Sequence, residues 1–239
     1  MGEGFDSKER EPGNVPVSIF LVRHFEPTPG YPEDEPLVLE KATEQARKTA
    51  EWIVGCLKEG ETIVIYGAGT KGRHQQSLEL LTASIAQEIG NRTKQIRLIE
   101  LPPSSKKRLS LRPADLWRFT DRAAGREMDY WLETEGESIS TEPPARVAAR
   151  LGSLLNGLIK FTKSQTELGT ECQKVNWVLI TSGEVVAAWT RSLPEIAKPV
   201  GLEPGGWLKL DVPGGEFTGL VNVTYKETTR EGVIISPKS

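Results

Sequence analysis

The 239-residue sequence is poor in the residues most often recruited for covalent or metal chemistry, with 2 cysteines, 2 histidines and 2 methionines. Cys56 and Cys172 are too few for a disulfide framework or a cysteine-rich zinc site, and they fit a reducing compartment. Long apolar runs are also missing: the stretches 17–22 and 177–180 fall far short of the roughly 20 residues a membrane helix needs. The opening MGEGFDSKEREPGNV has no apolar signal core, and Asp6 stands where an acylation signal wants Ser or Thr. A soluble protein of the cytoplasm, without membrane contact, is expected. Positive charge is not in excess either. Thirty Lys and Arg against 33 Asp and Glu leave a formal charge of −3, which lacks the bulk field of a general nucleic-acid binder. What is plentiful is core material: 37% hydrophobic residues exclude a disordered or fibrous chain.

Residues 1–16 are rich in Gly, Pro and charge without any period and read as a disordered tail, with a single domain from 17 to 239. Short apolar bursts then alternate with helix-period stretches. VSIFLV (17–22), TIVIY (62–66), IRLIEL (96–101) and WVLIT (177–181) read as strands, and runs that are apolar throughout imply cover on both faces. Between them, Ala42, Ala46, Ala50, Ile53, Val54 and Leu57 recur at helical steps before Gly60, and Leu78, Leu81, Ile85 and Ile89 do so before Gly90. A third helix spans about 143–161. The alternation predicts an α/β three-layer sandwich, its central sheet mainly parallel with helices on both faces. LKLDV (208–212), VNVTY (221–225) and GVIIS (232–236) read as closing antiparallel strands at a sheet edge.

Parallel sheets bind ligands at the carboxyl ends of their strands, so the residues following each strand are the candidates for chemistry. After Val22 come Arg23 and His24, and after Tyr66 a Gly-rich stretch leads to Arg73 at the start of the second helix. Two guanidinium groups and a helix N-terminus suit a phosphate, which Arg binds through two oxygens. Within such a cradle the neutral imidazole of His24 is a competent nucleophile toward phosphorus. Glu100, ending a third strand, is the candidate acid for the leaving oxygen, given enough burial to stay protonated.

The motifs that carry these residues resemble, in order, those of the histidine phosphatase superfamily, the phosphoglycerate mutase-like proteins. LVRHFEP (21–27) is similar to its Leu-Val-Arg-His-Gly-Glu signature. Gln45-Ala46 resembles the end of its Gly-x-x-Gln-Ala, Arg73-His74-Gln75-Gln76-Ser77 its Arg-Ala-x-Gln-Thr, and RLIE (97–100) its Leu-x-Glu. Gly136-Glu137-Ser138 with Arg146-Val147 resembles its Gly-Glu-Ser and Arg-Val helix, so the likeness spans about 17–190. The resemblance implies a phosphoglycerate mutase-like fold with a cap insertion at about 102–142. It makes His24 the phosphate-accepting nucleophile, Arg23 and Arg73 the phosphate clamp and Glu100 the proton donor, with no metal and no cofactor.

The match departs from the pattern at the end of the last parallel strand. Where the family usually has Ser-His-Gly-Gly-Val, this chain has Thr181-Ser182-Gly183-Glu184-Val185, so Ser182 takes the place of the second catalytic histidine as a phosphate-binding residue. Losing a preorganised donor costs on the order of 10²–10³ in rate. His74 occupies a motif position usually held by a small residue on the packed side of the helix, which argues against its standing in. Phe25 in place of Gly is a second departure.

Inside the insert, residues 106–126 carry seven basic and two acidic residues, a local +5. Such a cap focuses polyanions. Trp117, Phe119, Tyr130 and Trp131 lie nearby, but aromatics so spaced are more often packing residues, so nucleic acid is not the expected partner. Two functions are carried forward. The first is phosphomonoester hydrolysis through a phosphohistidine, at reduced activity, on a small phosphorylated or polyanionic substrate. The second is a catalytically inactive relative, a pseudoenzyme that binds a phosphate ligand or a protein partner.

Overall fold

The computed structural model describes residues 15–28, 37–67, 72–92, 96–100, 131–132, 142–164, 174–212 and 218–235. In chain order the elements are β1 (Val17–Arg23), α1 (Leu39–Cys56), β2 (Thr62–Gly67), α2 (Gly72–Arg92), β3 (Arg97–Glu100), α3 (Pro144–Ser164), β4 (Val175–Thr181), α4 (Gly183–Arg191), β5 (Trp207–Val212), β6 (Leu220–Tyr225) and β7 (Thr228–Ile234). The seven strands form one sheet in the order β3-β2-β4-β1-β5-β6-β7. The first four are parallel and the last three antiparallel, as their sequences predict. Parallel order brings the carboxyl ends of β1, β2, β3 and β4 to one rim, with Arg23 level with Thr181 and Gly67 level with Ile180.

The sheet has two cores because its central strands are apolar on both sides. On one face Phe20, Val22, Ile63, Ile65, Val178 and Ile180 pack under α1 and α2. On the other, Ile19, Leu21, Val64, Tyr66, Trp177 and Leu179 pack under α3 and α4. This is the expected three-layer sandwich. Trp52 of α1 stacks on Trp207 of β5, ring centroids 3.2 Å apart and planes 16° from parallel, and meets Phe20 edge-on at 5.5 Å.

Three local readings differ from expectation. Val15 is buried in the core and the carbonyl of Pro16 accepts from the amide of Val175, so packing begins two residues before Val17. Pro16 leaves its carbonyl available to the sheet and Val15 has a side chain worth burying, a local signal that the polar composition of the tail obscures. Helix α1 stops at Cys56, and Gly60, with φ of 78°, instead serves the turn into β2. Helix α4 is not announced by any stripe, because Val185 through Thr190 are all buried. Of the expected insert, only Trp131 and Leu132 and the end residue Glu142 are described. Trp131 is fully buried in the α3/α4 core and donates through Nε1 to the carbonyl of Glu142, which makes it a packing residue. Trp117, Phe119, Tyr130 and the basic run 106–126 lie outside the described residues, as do residues 1–14 of the expected tail. Among the described residues no helix is long and apolar enough to cross a membrane.

Candidate functional site at the carboxyl rim of the sheet

Where β1 leaves the sheet, its backbone is held on three sides. The amide of Arg23 donates to Gly206 and that of His24 to Thr181, each at 2.9 Å, while Gly205 donates back to Arg23 at 3.3 Å. The next two amides are caught by helix side chains: Phe25 N donates to Ser77 Oγ and Glu26 N to Gln45 Oε1, each at 2.9 Å. Gln76 Oε1 accepts from Leu37 N at 3.0 Å, closing the same loop further along. Buried amides without partners are costly. The Gln and Ser residues of the second and third motifs are therefore the groups that fix the loop carrying Arg23 and His24.

His24 is 2% exposed. Its Nδ1 lies 2.9 Å from the carbonyl oxygen of Phe25. A carbonyl can only accept, so Nδ1 carries the hydrogen and the neutral ring keeps its lone pair on Nε2. That is the tautomer a nucleophilic imidazole needs, and it is set by the backbone one residue away. Phe25, fully buried, fills the α1/α2 side of the sheet. Its ring edge also explains a glycine: a Cβ on Gly205, whose φ is +75°, would stand 3.3 Å from Phe25 Cδ1 and 3.1 Å from Gln45 Cβ.

Arg23 reaches across the end of β4. Its Nη1 donates to the carbonyl of Leu202 at 2.6 Å, which orients the guanidinium, while Nε is buried and has no hydrogen-bond partner among the described residues. The hydroxyl of Thr181, level with Arg23 on the neighbouring strand, is buried and unpaired in the same sense. The guanidinium stem passes close over the start of α4, where a Cβ on Gly183 would lie 3.2 Å from Arg23 Cδ and 3.3 Å from Nε. Ser182 is the N-cap residue of α4, 8% exposed, and its side chain makes no capping hydrogen bond. A helix N-terminus, an oriented guanidinium and two unpaired buried polar atoms thus lie along one stretch of the rim. This chemistry attracts an oxyanion.

Arg73 is the second residue of α2, and Ser77 Oγ donates to its carbonyl at 2.7 Å while accepting from Phe25 N. One hydroxyl therefore ties the backbone of Arg73 to that of Phe25. The backbone of Glu100 ends β3 on the same rim, in register with Ile65 of β2. Sequence alone puts His74 on the packed side of its helix and argues against its standing in for the missing imidazole, and the structure does bury it. It is 6% exposed, and its ring stands edge to face with that of His24, centroids 5.1 Å apart and planes at 86°. The signal was its place in the α2 stripe with Ser77, Leu78, Leu81 and Ile85, all buried. The spacing gave the packed side of the helix but not which loop it packs against.

No protein-family model matches the chain, and no curated protein matches it in sequence. Solved structures do share its architecture. A phosphoglycerate mutase from Bacillus anthracis superposes with a TM-score of 0.55 at 13% identity, covering 92% of this chain and 95% of its own. A mycobacterial glucosyl-3-phosphoglycerate phosphatase gives 0.53 at 18% identity, covering 93% of this chain and 99% of its own. A structure described as mycobacterial hydrolase 2 gives 0.52 at 16%, covering 90% and 91%. The class that the architecture defines is therefore the phosphoglycerate mutase-like α/β fold, a seven-stranded sheet with a parallel centre between helical layers.

Proposed function

We propose that this protein is a histidine phosphatase of the phosphoglycerate mutase-like superfamily, hydrolysing a small phosphomonoester through a phosphohistidine on His24. The observation that carries the reading is the buried His24 imidazole, its Nδ1 hydrogen held by the Phe25 carbonyl, on the rim that also bears the unpaired Nε of Arg23. In the first step the Nε2 lone pair attacks phosphorus and the bond from phosphorus to the leaving oxygen breaks, with Glu100 giving that oxygen its proton. In the second, water attacks phosphorus, the P–N bond returns its electron pair to Nε2, and the water proton goes to the Glu100 carboxylate. Arg23, Arg73, Ser182 and the N-terminus of α4 hold the phosphoryl oxygens, whose charge grows in each transition state.

A second reading, a module that binds a phosphorylated ligand without turnover, is favoured by one observation: the residue capping α4 beside Arg23 is serine rather than an imidazole. One experiment separates the two. The protein is incubated with p-nitrophenyl phosphate, nitrophenolate release is followed, and acid-labile phosphate is sought on His24 by mass spectrometry. Turnover and a label that both vanish in His24→Ala are expected. Saturable phosphate binding with neither turnover nor label would replace the enzyme with the binding module.

A further inference from the structure

We propose that Thr181 is a further oxyanion-binding residue of this site, its hydroxyl and the Nε–H of Arg23 donating together to one phosphoryl oxygen over the first turn of α4. This rests on the phosphate-binding part of the reading above and adds to it a donor from the body of β4. Thr181 is 1% exposed, yet its Oγ1 has no hydrogen-bond partner among the described residues, and neither has the buried Nε of Arg23. Buried polar atoms are nearly always paired, so two orphans on neighbouring strands call for a shared reason. Their placement supplies one. Arg23 and Thr181 are register partners on adjacent parallel strands, and the strand period puts both on the face that carries Leu21 and Leu179. The amide of His24 donates to the Thr181 carbonyl at 2.9 Å, so the residue bearing the hydroxyl is fixed to the backbone of the nucleophile. Arg23 Nε stands 3.3 Å from where a Cβ on Gly183 would lie, which brings it over the helix start two residues beyond Thr181.

The two orphans are not a donor and its acceptor, since neither serves the other. The Nε–H can only donate, and a threonine hydroxyl with no other partner can donate as well. A third atom that satisfies both must accept twice, and a guanidinium set against the positive end of a helix calls for that atom to be negative. Glu184, in the first turn of α4, offsets part of this field but pairs with neither orphan. A non-bridging phosphoryl oxygen meets each demand: it accepts twice, it carries charge, and it stays on phosphorus throughout the reaction. Valine at 181 would fill the same space and continue the apolar face of β4 with no hydroxyl left unmatched. The hydroxyl therefore weakens the ligand-free fold and strengthens the anion complex.

That opposition separates anion binding from packing. Melting temperature without ligand and calorimetric affinity for inorganic phosphate and orthovanadate are measured for the parent, Thr181→Val and Thr181→Ser. Thr181→Val is expected to melt at or above the parent without ligand and to bind both anions about tenfold more weakly, the size of one hydrogen bond to a charged oxygen. Thr181→Ser keeps the hydroxyl and should recover most of the affinity. If Thr181→Val binds both anions as the parent does, the hydroxyl only packs. If it melts below the parent without ligand, the hydroxyl serves a hydrogen bond internal to the fold. Either result overturns the inference and leaves the phosphatase reading standing. If the parent itself binds neither anion, both fall together.

Discussion

The hydroxyl of Ser77 accepts the amide hydrogen of Phe25 and donates its own to the carbonyl of Arg73, so one side chain joins the loop after β1 to the first turn of α2. The two histidines of the chain lie one residue to the N-terminal side of Phe25 and of Gln75, and their relative placement depends on this joint. Ser77→Ala leaves a buried amide without a partner, which costs about 1–3 kcal/mol. The expected result is a lowered urea midpoint with an unchanged m-value, together with weaker orthovanadate binding. A variant that lost stability yet kept parental vanadate affinity would show that the joint does not set the site.

Gly183 tests the proposed oxyanion cradle from its other side. An alanine there gains helix propensity, worth up to about 1 kcal/mol, but its Cβ meets Arg23 Cδ and the Leu202 carbonyl, both at 3.2 Å. The guanidinium must shift away from the start of α4. Calorimetric titration with inorganic phosphate should show affinity reduced by roughly tenfold, the size of one charge-assisted hydrogen bond, with a melting temperature within a few degrees of the parent. Unchanged affinity would remove Arg23 from the anion site.

Away from the rim, Asn176 of β4 donates to the Glu61 carboxylate at 2.9 Å, and both residues are buried. Asn176→Leu strips a buried carboxylate of its donor and should destabilise the fold by about 1–3 kcal/mol. Adding Glu61→Leu should recover part of that loss, because the stranded charge goes with it. Denaturant titrations of the two single variants and the double variant measure the coupling, and additive losses would argue against it.

Acid stability should depend on Asp211. Burial pushes its pKa up, but hydrogen bonds from Lys209 and Ser18 and the charges of Lys209 and Lys174 outweigh that, and the carboxyl is held below its ordinary value of 3.8. The folded state therefore binds this proton less tightly than the unfolded state. The stabilisation is complete above the unfolded value and fades as the pH drops through the lower folded one. Asp211→Asn should lie below the parent in melting temperature at pH 6, by the equivalent of about 1 kcal/mol or less, and the gap should close toward pH 2. A gap that stayed constant with pH would assign the effect to packing.

Much of this architecture was readable from residue pattern. The central strands are apolar on both sides, and that alone calls for helices above and below the sheet. The helical stripes of α1 and α2 end within a few residues of where their spacing ends. Helix α4 escaped because a segment buried at Val185 through Thr190 has no polar face to reveal its period. At the site, Arg23 and His24 follow from the rule that strand ends carry chemistry, since each directly ends or follows a strand, whereas Ser182 entered only through the resemblance of residues 181–185 to a family motif. The helical spacing put His74 on the packed side of α2 but not against His24. Its pairing with His24 arises from the docking of α2 against a loop nearly 50 residues earlier, and only tertiary structure reports that. Gly183 and Gly205 were equally silent, because what each makes room for belongs to another segment.

The Trp52–Trp207 stack gives this molecule a spectroscopic signature of its own. Indoles this close share their excited states, so their coupled transitions should split into a paired positive and negative circular-dichroism band. That band would vanish when the two rings part. Trp52 rides on the helix that also carries Gln45, the residue holding Glu26 beside the buried imidazoles. The intensity of that couplet therefore offers a label-free gauge of whether the helix behind the loop after β1 is seated, readable during ligand addition without any engineered dye.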